Sequence, residues 1–243
     1  MRKAVFLHVF KTGGTSINQW LAARYRNVYA PEDPARFRSD VLKYRKYIGS
    51  HDLITGHIYG DDALRLSATH RVLTVIRKPE AQLMSALWHL FANADSTTSR
   101  RPQRFDRDRD SLPALIRVAE QIAVTGAGMQ ALFLAPSRID LSDPDQRRAK
   151  TEEALQTLSQ IDVVGITERM PETIRLFARR LHVSPPWRSP HYRNAGAGRS
   201  GLTPELREIL KHHLEIDQKL YDAAAKRFER DVSQMTPRRS LWH

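Results

Sequence analysis

The chain has no cysteine among its 243 residues. Disulfides, thiolate nucleophiles and cysteine-bound metals are therefore excluded. No apolar run approaches the ~18 residues of a membrane-spanning helix, so no membrane span is expected. His8 and Lys11 interrupt the apolar start, so no signal peptide is expected either. Acidic residues are in deficit: 27 Asp and Glu stand against 39 Lys and Arg, for a formal charge of +12 and a pI near 10.3. Such a field draws in polyanions. Nucleic acid is one candidate, but aromatics are only 8% and the basic residues are spread along the chain. No nucleic-acid-binding module is recognisable, so no specific nucleic acid partner is expected. Missing too are H-E-x-x-H, an EF-hand loop, internal repeats and low-complexity tracts. The length allows one substantial core, so a single domain over 1–243 is expected.

What the chain does have is concentrated near its start. Ala4 to Val9 is an apolar run that reads as a short buried strand. Gly13 and Gly14 break it. Thr15 and Ser16 are good helix N-caps, and Ile17, Trp20 and Leu21 carry a helical period onward. Strand, glycine turn and helix together aim backbone N–H groups and a positive helix end at one point, which makes a phosphate site. Lys11 adds a full charge there. The order is not that of a Walker A loop, because the lysine precedes the glycines, and with only the pair Gly13-Gly14 this turn does not read G-x-G-x-x-G either.

A second segment repeats the theme. Arg71 to Ile76 is an apolar, β-branched strand that ends in Arg77-Lys78-Pro79, with a helix expected from about Glu80 to Phe91. Arg77 can make a forked contact to a phosphate, and Ser85, eight residues on, can offer its hydroxyl to the same anion. Alone, each is ordinary: strand-end arginines are usually solvated, and helix serines often bond their own backbone. Strand candidates at 4–9, 26–30, 52–56, 71–76 and 161–166 alternate with helices, which predicts an α/β fold with a central parallel sheet. Ligands gather at the carboxyl ends of such strands. Lys11, His57 and Arg77 each fall at such an end.

Lys11-Thr12-Gly13-Gly14-Thr15-Ser16 after a strand, with Arg77 and Ser85 at their spacing, resembles the sulfotransferases that use 3′-phosphoadenosine 5′-phosphosulfate (PAPS). The likeness is to the carbohydrate-directed branch, of the heparan sulfate 2-O-sulfotransferase kind. Weaker similarities follow in family order at Asp52–His57, Gly126–Gln130, Ile161–Arg169, Arg193-Asn194 and Asp217–Tyr221. Two positions depart from the pattern. Ala131-Leu132 stands where Thr-Arg is usual, and Lys78 stands where Asp or Asn is common. The resemblance implies a P-loop-like three-layer fold and O-sulfation of a hydroxyl, with PAP as the nucleotide product and no metal. It implies that Lys11, Thr12, Gly13, Gly14, Thr15 and Ser16 surround the 5′-phosphate and that Arg77 and Ser85 hold the 3′-phosphate. A late loop carrying Arg193 and Asn194 would close on the nucleotide. The implied acceptor is a glycan or glycolipid, with tyrosine or a small hydroxylated metabolite open. A cysteine-free chain fits a cytoplasmic, bacterial protein better than a Golgi-lumenal one.

Transfer of a sulfuryl group calls for charge stabilisation and a base. Lys11 is placed to stabilise the leaving oxygens. His57, at a strand end beside Gly56, is the base candidate, since histidine most often does general-base work. His8 is the alternative, and no glutamate can be placed. His89, four residues after Ser85, shares its helix face. His212 and His213 are adjacent on a helix and so do not form a metal pair. The segment 92–110 reads as a mobile insertion, 184–200 as a wrapping loop and 235–243 as a frayed tail. Ser142-x-x-Asp145 can open a helix, and Thr203-Pro204-Glu205 is expected to start the last long one. Two other readings remain: a non-catalytic polyanion binder on the same fold, and a P-loop kinase.

Overall fold

The computed structural model describes residues 1–94, 112–124, 129–185 and 201–235. In chain order the elements are β1 (Ala4–Leu7), α1 (Gly14–Ala22), β2 (Val28–Tyr29), α2 (Pro34–Lys43), α3 (Arg45–Ile48) and β3 (Leu53–Gly56). There follow α4 (Gly60–Leu64), β4 (Arg71–Ile76), α5 (Pro79–Ala94), α6 (Leu112–Ala123), α7 (Ala131–Leu134) and α8 (Pro144–Gln160). The last are β5 (Val163–Ile166), a 3-10 turn (Thr167–Arg169), α9 (Met170–Leu181), α10 (Pro204–Ile209) and α11 (Lys211–Ser233).

The five strands form one all-parallel sheet in the order β2-β3-β1-β4-β5. Parallel strands are covered on both faces and so read as continuous apolar runs. All four residues of β1 and all four of β5 are buried, as are five of the six in β4. Helices flank the sheet: α1 packs on β3, α4 on β1, and α9 and α11 on β5. This is the α/β architecture that the alternation of strand and helix signals predicts.

The register decides which loops meet. Leu7 lies level with Gly56 on one side and with Thr74 on the other. The chain therefore leaves β3, β1 and β4 from three adjacent places on one rim. His57, Lys11 and Arg77 follow directly.

Several local expectations are corrected. β4 has the expected bounds, but the other four strands are shorter than their apolar runs; β1 stops at Leu7 and β2 is only two residues long. Neither Thr15 nor Ser16 caps α1. Gly13 takes the cap position with φ 84°, and no side chain bonds there. Asp143 rather than Ser142 caps α8, its carboxylate accepting from Asp145 N and Gln146 N with Pro144 behind it. Ser142 instead turns its hydroxyl to Asp140. Thr203 does cap a helix, accepting from Leu206 N, but that helix is the short α10. Leu210 interrupts the run, and the long helix starts at Lys211. The expected insertion at 92–110 begins within α5, and from residue 95 it lies outside the described residues, as does the tail beyond 235. No helix among the described residues is long and apolar enough to cross a membrane.

Candidate functional site

The sheet ladder ends where His8 N donates to Gly56 O. The next four carbonyls are each taken by a side chain. Thr12 Oγ1 donates to Val9 O at 2.9 Å and Gln82 Nε2 to Phe10 O at 2.8 Å. An Arg77 guanidinium N–H donates to Lys11 O at 3.0 Å, and Thr167 Oγ1 to Thr12 O at 2.6 Å. In a trans peptide the N–H of the next residue points opposite to the carbonyl. Each following N–H is thus turned away from the side chain that holds the carbonyl before it. Lys11 takes a left-handed conformation, φ 61°, to make this turn. Such backbone strain in a non-glycine residue collects at functional loops. The loop delivers the chain to α1, which has no side-chain cap and no acidic residue in its first turn. That end is electropositive and suited to an anion.

The loop residues divide by role. Thr12 is fully buried with its hydroxyl on Val9 O, so any ligand contact it makes is through the main chain. Gly14 is buried, Ser16 is partly exposed and Thr15 is exposed, all in the first turn of α1. Gly14 is also where the chain passes His8: a Cβ there would lie 2.0 Å from His8 Cδ2.

His8 and His57 form a stacked pair, ring centres 4.3 Å apart. His57 Nδ1 lies 2.8 Å from His8 O. A carbonyl only accepts, so Nδ1 carries a hydrogen, and in the neutral ring that leaves Nε2 as the accepting nitrogen. His8 is fixed differently. The Asn18 amide donates to its Nδ1 at 3.4 Å, and Thr55 Oγ1 donates to the Asn18 oxygen. Phe6 also stacks with His8, ring centres 6.1 Å apart. Burial first, then the charges of His57 and Lys11, pull the His8 pKa down to about 3. His8 is thus a neutral ring that stacks with both Phe6 and His57. Phe10 joins the group: its ring centre is 6.0 Å from His57 and 5.5 Å from His89, with Lys11 Nζ 5.8 Å over its face. Burial and Lys11 both lower the His89 pKa, which brings His89 into the surroundings of the lysine.

Arg77 and the buried Ser85 share the lining of one cavity of about 460 Å³. Lys78, Glu80, Met84, Gly201, Gln218 and Tyr221 line it too. Glu80 is engaged by Arg207, with one bond at 3.2 Å. The glycine loop and His57 are not in this lining; the Arg77 to Lys11 bond is what joins the two places. Arg193 and Asn194 lie outside the described residues. His213 is buried in α11 while its neighbour His212 is partly exposed, so the two do not act together. Among the described residues no three His, Asp or Glu side chains gather as metal ligands. The sequence pattern gave no hint of Asn18, Gln82 or Thr167. Polar residues at helical or loop positions carry no period that separates a buried anchor from a solvated one.

No protein-family profile matches the chain, and no curated protein does. Among solved structures it is similar to the crystal structure of a sulfotransferase from Alicyclobacillus acidocaldarius. The two are 16% identical with a TM-score of 0.46, over 94% of this chain and 99% of that one. At that distance the likeness assigns no residue a role.

The neutral state of His8 has a measurable consequence. The unfolded chain takes up a proton on His8 below its ordinary value of 6.5, whereas the folded protein does so only near 3. The unfolded state binds the extra proton in that window, so stability falls as the pH drops from 6.5 toward 3. Urea midpoints should decline across this range, and less steeply in His8→Gln. Parallel profiles for the two proteins would show that another group is responsible.

Proposed function

We propose that the protein is a PAPS-dependent O-sulfotransferase. One observation carries the reading: the Arg77 guanidinium bonds the main chain of Lys11. Two anion-binding places, the glycine loop at α1 and the Arg77–Ser85 cavity, are thereby tied at a fixed separation. A nucleotide with phosphates at both the 5′ and 3′ positions suits two such places. The Lys-Thr-Gly-Gly-Thr-Ser sequence and the spacing of Arg77 to Ser85 support the same donor.

Bound PAPS supplies the sulfuryl group: an S–O bond to the acceptor oxygen forms, the S–O bond to the 5′-phosphate breaks, and PAP departs with that electron pair. The residues here do the rest. Backbone N–H groups at Gly13 to Ser16 hold the 5′-phosphate, and Lys11 balances charge on the leaving oxygens. Arg77 presents a planar fork of N–H donors, and in this reading it is the ligand for the 3′-phosphate. Ser85 adds a hydroxyl. His57 Nε2 takes the acceptor proton, its ring held by the bond from Nδ1 to His8 O. No step requires a metal, because the transferred group carries less charge than a phosphoryl group. The acceptor is a hydroxyl compound, with a glycan or glycolipid as the favoured class on the sequence resemblance and the positive charge of the chain.

Calorimetry with PAP is the direct test. PAP should bind more tightly than ATP, and Arg77→Ala should weaken it roughly 10–100-fold, as expected for charged hydrogen bonds. Equal affinity for ATP and PAP would count against a 3′-phosphate site. In a sulfate-transfer assay His57→Ala should lower kcat by ~10²–10⁴-fold with little change in PAP affinity. Near wild-type turnover would move the base elsewhere. Chelation should leave turnover unchanged, and strict Mg²⁺ dependence would favour a kinase instead.

A further inference from the structure

Asp217, in α11, is a fully buried carboxylate that the chemistry above does not use. Such a group is tolerated only where fixed donors meet it. Here three do: the backbone N–H groups of Met129, Gln130 and Ala131. Gln130 N lies 3.0 Å from Oδ2 and Ala131 N 3.0 Å from Oδ1. Burial pushes the carboxyl up to about 7, while the three N–H groups pull it the other way, toward the ionised form. The turn that opens α7 is therefore pinned to α11.

The Gln130 side chain, itself fully buried, runs from that turn to Arg77. Its Oε1 accepts from Arg77 N at 2.9 Å and its Nε2 donates to Arg77 O at 2.8 Å. Two opposed bonds to one residue fix both the position and the rotation of its backbone. Arg77 then reaches Lys11 O. A continuous path thus runs from the closing helix to the glycine loop through three residues. On the turn of α11 that follows Asp217, Gln218 and Tyr221 line the same cavity as Arg77 and Ser85.

We propose that Asp217 is a positioning residue for the 3′-phosphate, acting through Gln130 to set where the Arg77 guanidinium leaves β4. It touches no ligand. Its effect is selectivity for a nucleotide that carries a 3′-phosphate over one that lacks it. The inference rests on the sulfotransferase reading, in which Arg77 meets that phosphate. It gives Gln130 and Asp217, similar to the family only as segments of sequence, a shared physical task. It also accounts for why Ala131 and Leu132 can replace Thr-Arg: the relay uses the Ala131 main chain, not its side chain.

The test compares PAP with adenosine 5′-monophosphate, which differs in lacking the 3′-phosphate. Asp217→Asn keeps the size but turns an amide N–H toward backbone donors. It should lower PAP affinity about 10-fold and that of the monophosphate less than about 2-fold, the scale of a disturbed charged hydrogen bond. A merely structural role would weaken both ligands together, and that outcome, or no change in either, overturns the proposal. Gln130→Met breaks the relay at its middle and should show the same selective loss. Should Asp217→Asn fail to fold, equal losses for both ligands in Gln130→Met overturn it instead. A wild-type protein that binds both nucleotides alike removes the sulfotransferase reading and this inference with it. A wild type that prefers PAP, with a preference intact in Asp217→Asn, removes the inference alone.

Discussion

The rim of the sheet depends on the fate of four consecutive carbonyls, those of Val9, Phe10, Lys11 and Thr12. They lie beyond the last ladder bond, where carbonyl oxygens turned outward would repel an anion. Instead each meets a side chain from a different part of the chain: the loop itself, the strand end after β4, helix α5 and the turn after β5. The shape of the loop is therefore a property of three parallel strands and a helix held in register. Six residues of motif would not keep that shape alone, since short glycine-rich segments gain little from their own contacts and lose much entropy on ordering.

Charge at the rim is arranged with the same economy. Lys11 and Arg77 bring full positive charges, and α1 adds a partial one. Two stacked imidazolium ions would repel each other. His8 is kept neutral by burial, so charge is carried on at most one ring of the pair. Its backbone carbonyl, not its ring, fixes the tautomer of His57. A residue just past the end of β1 thus serves its neighbour with both its main chain and its side chain.

Much of this was legible in the sequence. Apolar runs separated by helical periods specify a parallel sheet, and the carboxyl ends of the runs locate Lys11, His57 and Arg77 on one rim. The strand order, which makes those three ends adjacent, was not legible, because periodicity says nothing about which strands pair. The caps were partly misread. Thr15, Ser16 and Ser142 have the right chemistry for capping, but Gly13 and Asp143 hold the positions with the required backbone geometry. The loop anchors Gln82 and Thr167 were invisible for a different reason. They act across 72 and 155 residues of chain, on backbone atoms that carry no sequence identity. Gln130 and Asp217 stood out only as pieces of a resemblance, with nothing to say that one holds the other.

The glycine pair has a further consequence. Gly14 is usually explained from the front, by the close approach of a phosphate to bare backbone. Here it is equally constrained from behind, because the His8 ring occupies the space a side chain would need. Gly13 is constrained as well, by its left-handed backbone and by Met170. A descendant of this chain that bound no ligand at this rim would still be selected to keep both glycines, simply to stay folded. Retention of the pair in a related sequence is therefore a record of packing first, and is not by itself testimony to activity.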